Sequence, residues 1–156
     1  VNVDSLAPNK LFAEAVERGV LVPKSLSRIE QLRPEVKLGS SRLDWQLTGP
    51  EGRLWCEVKG VTLEVEGTAL FPDAPTLRGL GHVETLRRLR AEGDFALAAF
   101  IVQMEGVRCF RPNTATQPDF ARALREARDA GVEILCCGCC VTPDSVEPVY
   151  RIPVEL

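Results

Sequence analysis

The sequence predicts a one-domain α/β fold, a mixed β-sheet flanked by helices, on three observations. Residues 41–47 and 53–63 alternate apolar and polar on either side of a turn containing Gly49, Pro50 and Gly52, the pattern of a hairpin. An apolar segment at 95–104, an amphipathic one at 118–130 and a second apolar one at 132–140 follow in the order strand, helix, strand, which suggests a right-handed parallel crossover. The chain has 156 residues, 45% hydrophobic and 26% charged, which is one domain's worth with enough apolar material for its own core.

Each element has a local reason. Residues 9–18 place Leu11, Phe12, Ala15 and Val16 at helical spacing, and Gly19 stops the helix. Residues 1–8 are expected to be a linker, with the domain over 9–156. Residues 24–34 are mixed and end in Pro34, as a short helix or loop would, and 35–38 looks extended. After the hairpin, 65–75 reads as a loop. Thr76 is placed to cap a helix over 76–92, with Leu80, Val83, Leu86 and Leu89 inward and Gly93 closing it. The segment 95–104 reads as a buried strand. The helix over 118–130 turns Phe120, Ala123, Leu124 and Ala127 to the core, and a last strand is expected over 149–154.

Composition narrows the function classes. The longest uninterrupted apolar run, 95–102, has eight residues, against the ~18 of a membrane span, so no membrane association is expected. The start VNVDSLAPNK lacks the basic and apolar regions of a signal peptide. A net charge of −3 argues against a purely electrostatic nucleic-acid binder. Fifteen of the basic residues are Arg and only four are Lys. Four of the six cysteines form the run Cys136, Cys137, Gly138, Cys139, Cys140. In a strand, alternation sends Cys136 and Cys140 to one face and Cys137 and Cys139 to the other, so four thiolates cannot converge on one ion. They read as small apolar core residues, and free thiols at this density suit a reducing, cytoplasmic location.

The hairpin carries the chemistry. Thr48 set opposite Arg53 puts Asp44 opposite Glu57 and Arg42 opposite Lys59. Alternation then sorts Leu43, Trp45 and Leu47 with Leu54, Cys56 and Val58 onto a core face. Arg42, Asp44, Gln46, Trp55, Glu57 and Lys59 fall on the other. Like charges in directly opposed positions destabilise a sheet unless a cation lies between them, a proton is shared or solvent screens them. Two carboxylates suit Mg²⁺, which keeps several waters for itself, and Lys59 emerges on the same face to act on a phosphate or on the attacking water. The same four charges also describe an ordinary solvated outer face, and the spacing by itself leaves both readings open.

An Asp followed thirteen residues later by Glu-x-Lys, on a hairpin after a helix, resembles the PD-(D/E)xK nuclease superfamily. That resemblance implies a further acidic residue from the helix, either Glu14 or Glu17, and Glu14 paired with Arg18 on an exposed face describes it equally well. The blocks VNVDSLAPNKL, EVKLGSSRLDW, CEVKGVTL, ALFPDAPTLRGLGHVETL and AGVEIL, spread over nearly the whole chain, resemble the sugar fermentation stimulation protein A family. This resemblance implies a restriction-endonuclease-like fold and a metal-dependent nuclease-like domain of a DNA-binding protein. It also implies a site of Asp44, Glu57 and Lys59 with Glu14, Mg²⁺ or Mn²⁺ held by Asp44, Glu57 and Glu14, and an N-terminal OB-like domain ahead of Val1. Gln117-Pro118 stands where such sequences often have Asp-Pro, and the thiol-rich run is unusual for them.

Other residues have two readings each. Glu35 and Lys37 repeat Glu-x-Lys on a short strand and either line the same cleft or mark an exposed edge. Arg78 falls in the first turn of the helix over 76–92, against the helix dipole but well placed for a phosphate. His82, the only histidine, is either a structural residue or a site neighbour. Arg87, Arg88 and Arg90 either touch a nucleic-acid backbone or form a solvated face. The expected partner is DNA, bound weakly by this chain alone, with a homodimer possible. A non-catalytic DNA-binding or regulatory module with the same fold is the alternative, and a hydrolase of small phosphorylated molecules ranks last for want of a nucleotide loop.

Overall fold

The computed structural model describes residues 7–156. The chain runs α1 (Ala7–Glu17), β1 (Gln31–Leu38), β2 (Ser41–Gly49), β3 (Gly52–Val61), β4 (Leu63–Val65) and β5 (Thr68–Phe71). It continues α2 (Leu77–Ala91), β6 (Phe95–Val102), β7 (Cys109–Pro112), α3 (Pro118–Asp129), β8 (Glu133–Val141) and β9 (Val146–Ile152). A six-stranded sheet has the order β1-β2-β3-β6-β8-β9, and a three-stranded sheet has the order β4-β5-β7. In the large sheet β3, β6 and β8 are parallel and the outer pairings are antiparallel. It is the mixed, helix-flanked sheet that the sequence predicts.

Both faces of the large sheet are covered, which is why β6 is an unbroken apolar run. One face packs Trp55, Ala98 and Phe100 under α2 and α3 through Val83, Leu86, Leu89, Phe120 and Leu124. The small sheet joins the same layer, with Phe110 stacked on Phe100 at 4.4 Å between ring centroids. The other face packs Leu54, Cys56, Leu97 and Ile101 under α1 through Leu11, Phe12 and Ala15. The cysteine run divides as alternation requires: Cys136 belongs to the first layer, and Cys137 and Cys139 to the second. Asp94 ties β3 to β6 by accepting from Trp55 Nε1 and an Arg53 guanidinium nitrogen, each at 3.0 Å.

Several expectations are corrected. Residues 1–6 of the expected linker lie outside the described residues, but Ala7 and Pro8 open α1, with Pro8 buried. The stretch 24–34 is not helical and its end is already strand β1, an edge strand. The loop expected over 65–75 contains most of the β4–β5 hairpin, and β5 pairs in parallel with β7, which the sequence pattern did not reveal. These strands have three or four residues, too few for periodicity to register. Leu43 also sits on the face opposite to its expected neighbours, in the layer of Trp55 and Val83 rather than with Leu47 and Leu54. The β1–β2 ladder skips the Glu35–Asp44 pair, and Glu35 has φ +49°, a left-handed conformation that an L residue adopts at some cost. Alternation is lost at that point, and the strand changes face at Asp44.

Candidate active site

The hairpin register is as the sequence sets it, with Thr48 opposite Arg53, but the β2–β3 ladder ends at Trp45–Cys56. Arg42 is therefore not opposite Lys59; it pairs with Lys37 of β1. Asp44 and Glu57 stand one step past the last rung. There the Asp44 carboxylate replaces a backbone acceptor, taking the Val58 N–H at 2.7 Å through Oδ2. One oxygen of Asp44 is thus fixed by β3, and its position relative to Glu57 with it.

Glu57 lies in the middle of a central strand, and its side chain is only 4% exposed. Burial first, then the charge of Asp44 and a hydrogen bond with it, push the Glu57 carboxyl from 4.5 up to about 8, against the weaker pull of Lys59 and Arg78. Lys59, two residues on and on the same face, is pulled below its ordinary value by burial, although Glu57 and Asp44 oppose the shift. Its Nζ contacts His82 Nδ1 from α2, and the same Nδ1 lies 3.4 Å from Glu57 Oε2. Burial, then the nearby charges of Lys59 and Arg78, push His82 down to about 4. Near pH 7 the ring is neutral, and with Lys59 Nζ as the donor to Nδ1 the ring proton lies on Nε2.

α2 reaches the site because its start is doubly secured. Thr76 caps it, its hydroxyl accepting from the Gly79 N–H at 2.8 Å. The Gln117 amide bridges back to Thr76, accepting its N–H at 2.9 Å and donating to its C=O at 3.2 Å. An Asp at 117 is an acceptor without a donor when ionised, so Gln accounts physically for the departure noted at this position. Between the first turns of α2 and β2 lies a surface hollow of about 380 Å³ lined by Arg42, Glu57, Arg78, Gly81 and His82 together with Ser40, Ser41 and Thr85.

Asp44, Glu57, Lys59, His82, Arg78 and Arg42 therefore converge. The others do not. Glu14 lines a different hollow, with Lys10, Gln103 and Asp144. Among the described residues no three His, Cys, Asp or Glu side chains stand close enough together to hold a metal ion, so the ligand trio of Asp44, Glu57 and Glu14 is not assembled here. The reason is the layering: α1 covers the opposite face of the sheet from α2. Glu35 and Lys37 are exposed on the edge strand and line no part of the hollow, as an ordinary edge would have them. Sequence reasoning missed the Val58 N–H and Gly81, and noted Gln117 without its role; Gly81, a glycine inside a helix, also left a local signal.

The donor set suits a hard divalent cation. Two adjacent carboxyl groups, one kept protonated by burial and by the other, are relieved by a positive ion between them. Two such ligands are enough for an ion that keeps most of its water.

Comparison with known proteins places these features in context. The family model described as "Sugar fermentation stimulation protein RE domain" matches residues 6–145. A sugar fermentation stimulation protein homolog of Desulfitobacterium hafniense is 41% identical over 156 residues, which is all of this chain and 66% of that protein. The homolog of Moorella thermoacetica is 44% identical over 158 aligned positions, 67% of its length. The chain thus spans about two thirds of the curated relatives it matches. The solved structure of Pyrococcus furiosus SfsA in complex with Ca²⁺ superposes with a TM-score of 0.87 at 30% identity, covering 99% of this chain and 66% of that one.

Proposed function

The chain belongs to the sugar fermentation stimulation protein family, and from that premise we propose that it is a PD-(D/E)xK-like, metal-dependent phosphodiester hydrolase domain acting on DNA. The observation that carries this reading is the meeting of Asp44 and Glu57 at the end of the hairpin ladder, with Lys59 on the same face. Asp44 and Glu57 would hold Mg²⁺ or Mn²⁺, which would neutralise the carboxylates and the charge that builds on a phosphate. The Ca²⁺ complex of the Pyrococcus relative supports a divalent ion of this hardness.

The chain's own groups have definite tasks. The Val58 N–H holds one Asp44 oxygen, which leaves the other to a ligand. Lys59, anchored on His82, places a positive charge where a phosphoryl oxygen gains negative charge. The buried wall of β3 keeps water away from these contacts and so strengthens them. The third or so of those relatives that this chain does not span leaves room for another domain, and an OB-like one would supply the affinity for DNA that an acidic chain lacks.

The test is cleavage of single- and double-stranded DNA with and without Mg²⁺ or Mn²⁺. Asp44→Asn is expected to abolish the activity, and Lys59→Ala to lower it by about 10²-fold or more. Cleavage that survives both substitutions overturns the reading. The two-ligand site favours one other reading, a DNA-binding module that keeps the fold without turnover. Divalent and DNA binding with no cleavage under any of these conditions is its signature.

A further inference from the structure

We propose that the hollow beside Glu57 is a phosphate subsite, in which the guanidinium groups of Arg42 and Arg78 and the Nε2–H of His82 hold a phosphodiester of a nucleic-acid strand. This deepens the reading above and rests on it for the identity of the strand; phosphate binding itself does not. Four observations carry it. Like about half of the chain's arginines, Arg42 and Arg78 form no ion pair among the described residues, which leaves both guanidinium groups to a ligand. Both nevertheless line one hollow of about 380 Å³ whose only carboxyl group is the almost fully buried Glu57. His82 lines it too, and with Lys59 donating to Nδ1 the other ring nitrogen is left as a donor.

Arg78 is one turn before His82 on α2, in a first turn with no acidic residue. A cation there opposes the helix dipole, an unfavourable placement that an anion between the helix end and the guanidinium reverses. The fourth observation is Gly81, on the wall of the hollow. A glycine inside a helix is less favourable than alanine, yet a Cβ at Gly81 would meet nothing within 4 Å. Packing does not require this glycine; open space over the backbone beside two guanidinium groups is what an approaching phosphate requires.

Metal-free protein titrated with inorganic phosphate, followed by calorimetry and by ¹⁵N NMR of the His82 ring and the Gly81 amide, tests the subsite. Phosphate is expected to shift both signals, and Arg42→Gln or Arg78→Gln to weaken binding by about tenfold or more. Both side chains are exposed, so unchanged melting curves will show that the variants fold. Absence of shifts at His82 and Gly81, or undiminished binding by Arg78→Gln, overturns the proposal. Competition by a short oligothymidylate and by a sugar monophosphate separates the two sources of phosphate. The strand is expected to bind more tightly, and tighter binding of the sugar monophosphate overturns the assignment to a strand. Asp44→Asn is expected to lose divalent binding and keep phosphate binding. Phosphate bound at these residues in a protein that never cleaves DNA would refute the hydrolase and leave the subsite standing. Cleavage without phosphate binding there would do the reverse.

Discussion

A buried carboxyl group beside another holds its proton until something positive replaces it. Glu57 is that group, pushed up to about 8 by burial and by Asp44. The sign of its pH effect follows. Between about 4.5 and about 8 the unfolded chain loses this proton while the folded chain keeps it, so the Glu57 contribution to stability declines as pH rises through that window. In metal-free protein the difference in stability between wild type and Glu57→Gln is expected to move against wild type on going from pH 5 to pH 8 or above, by at most about 1.4 kcal/mol per pH unit. Denaturant unfolding at several pH values reads it; a constant difference refutes it. Divalent binding has the opposite dependence, since the ion must displace the proton. Calorimetry of Mn²⁺ binding at pH 7 in two buffers of different protonation heat should detect proton release, and Glu57→Gln should remove it. His82, pushed down to about 4, behaves conversely: its contribution is intact above pH 6.5 and is lost as pH falls toward 4.

At the scale of elements, two joints set the geometry that the site inherits. Gln117 joins the start of α3 to the start of α2 through both backbone polar groups of Thr76. Gln117→Ala leaves the Thr76 N–H without its partner, while the C=O keeps the Leu80 N–H, and is expected to cost about 1–3 kcal/mol. Because His82 is on α2, the same variant should also shift the His82 ring signals, whereas an effect confined to α3 would contradict the linkage. The second joint is between β8 and β9. A Cβ at Gly138 would sit 2.2 Å from the Tyr150 ring, whose hydroxyl donates to Met104 C=O at 3.2 Å and accepts from Val107 N–H at 3.3 Å. Gly138→Ala is expected to destabilise by about 3 kcal/mol, with part of the loss recovered in the Gly138→Ala, Tyr150→Ala double variant. Equal stability of the single and double variants would show that the ring contact is not the cause. This explains the glycine within the cysteine run; Cys136, Cys137 and Cys139 are core side chains, burial raising the Cys136 thiol, while Cys140 is only half-buried.

At the scale of the whole molecule, net charge and layering decide what the chain can bind. With a net charge of −3, the basic groups act locally at the hollow and the long-range field does not attract DNA. Binding of duplex DNA by this chain alone at physiological salt is expected to be micromolar or weaker, and to weaken further with salt. A fluorescence-anisotropy titration over a range of salt checks this; submicromolar binding would contradict it. Ions leave the fold intact in this picture, because the core is built from two apolar layers on the sheet. Chelation should therefore remove divalent-dependent activity with little change in the metal-free melting curve. Among the described residues no helix is long and apolar enough to cross a membrane.

The sequence alone determined the elements with strong local signals. Alternation and the Gly49–Gly52 turn set the register that brings Asp44 near Glu57, and the apolar period of α2 and α3 set the faces they bury. Thr76 was legible as a cap because capping is a matter of a few adjacent residues. What only the tertiary structure decided depends on residues far apart in the chain: the pairing of β5 with β7, the change of face at Asp44, the contact of Lys59 with His82, and the position of Glu14 away from the carboxylate pair. Periodicity reports which way a side chain leaves its own strand or helix. It says nothing of which element covers that face, and the burial that sets the protonation of Glu57 and His82 comes from that covering.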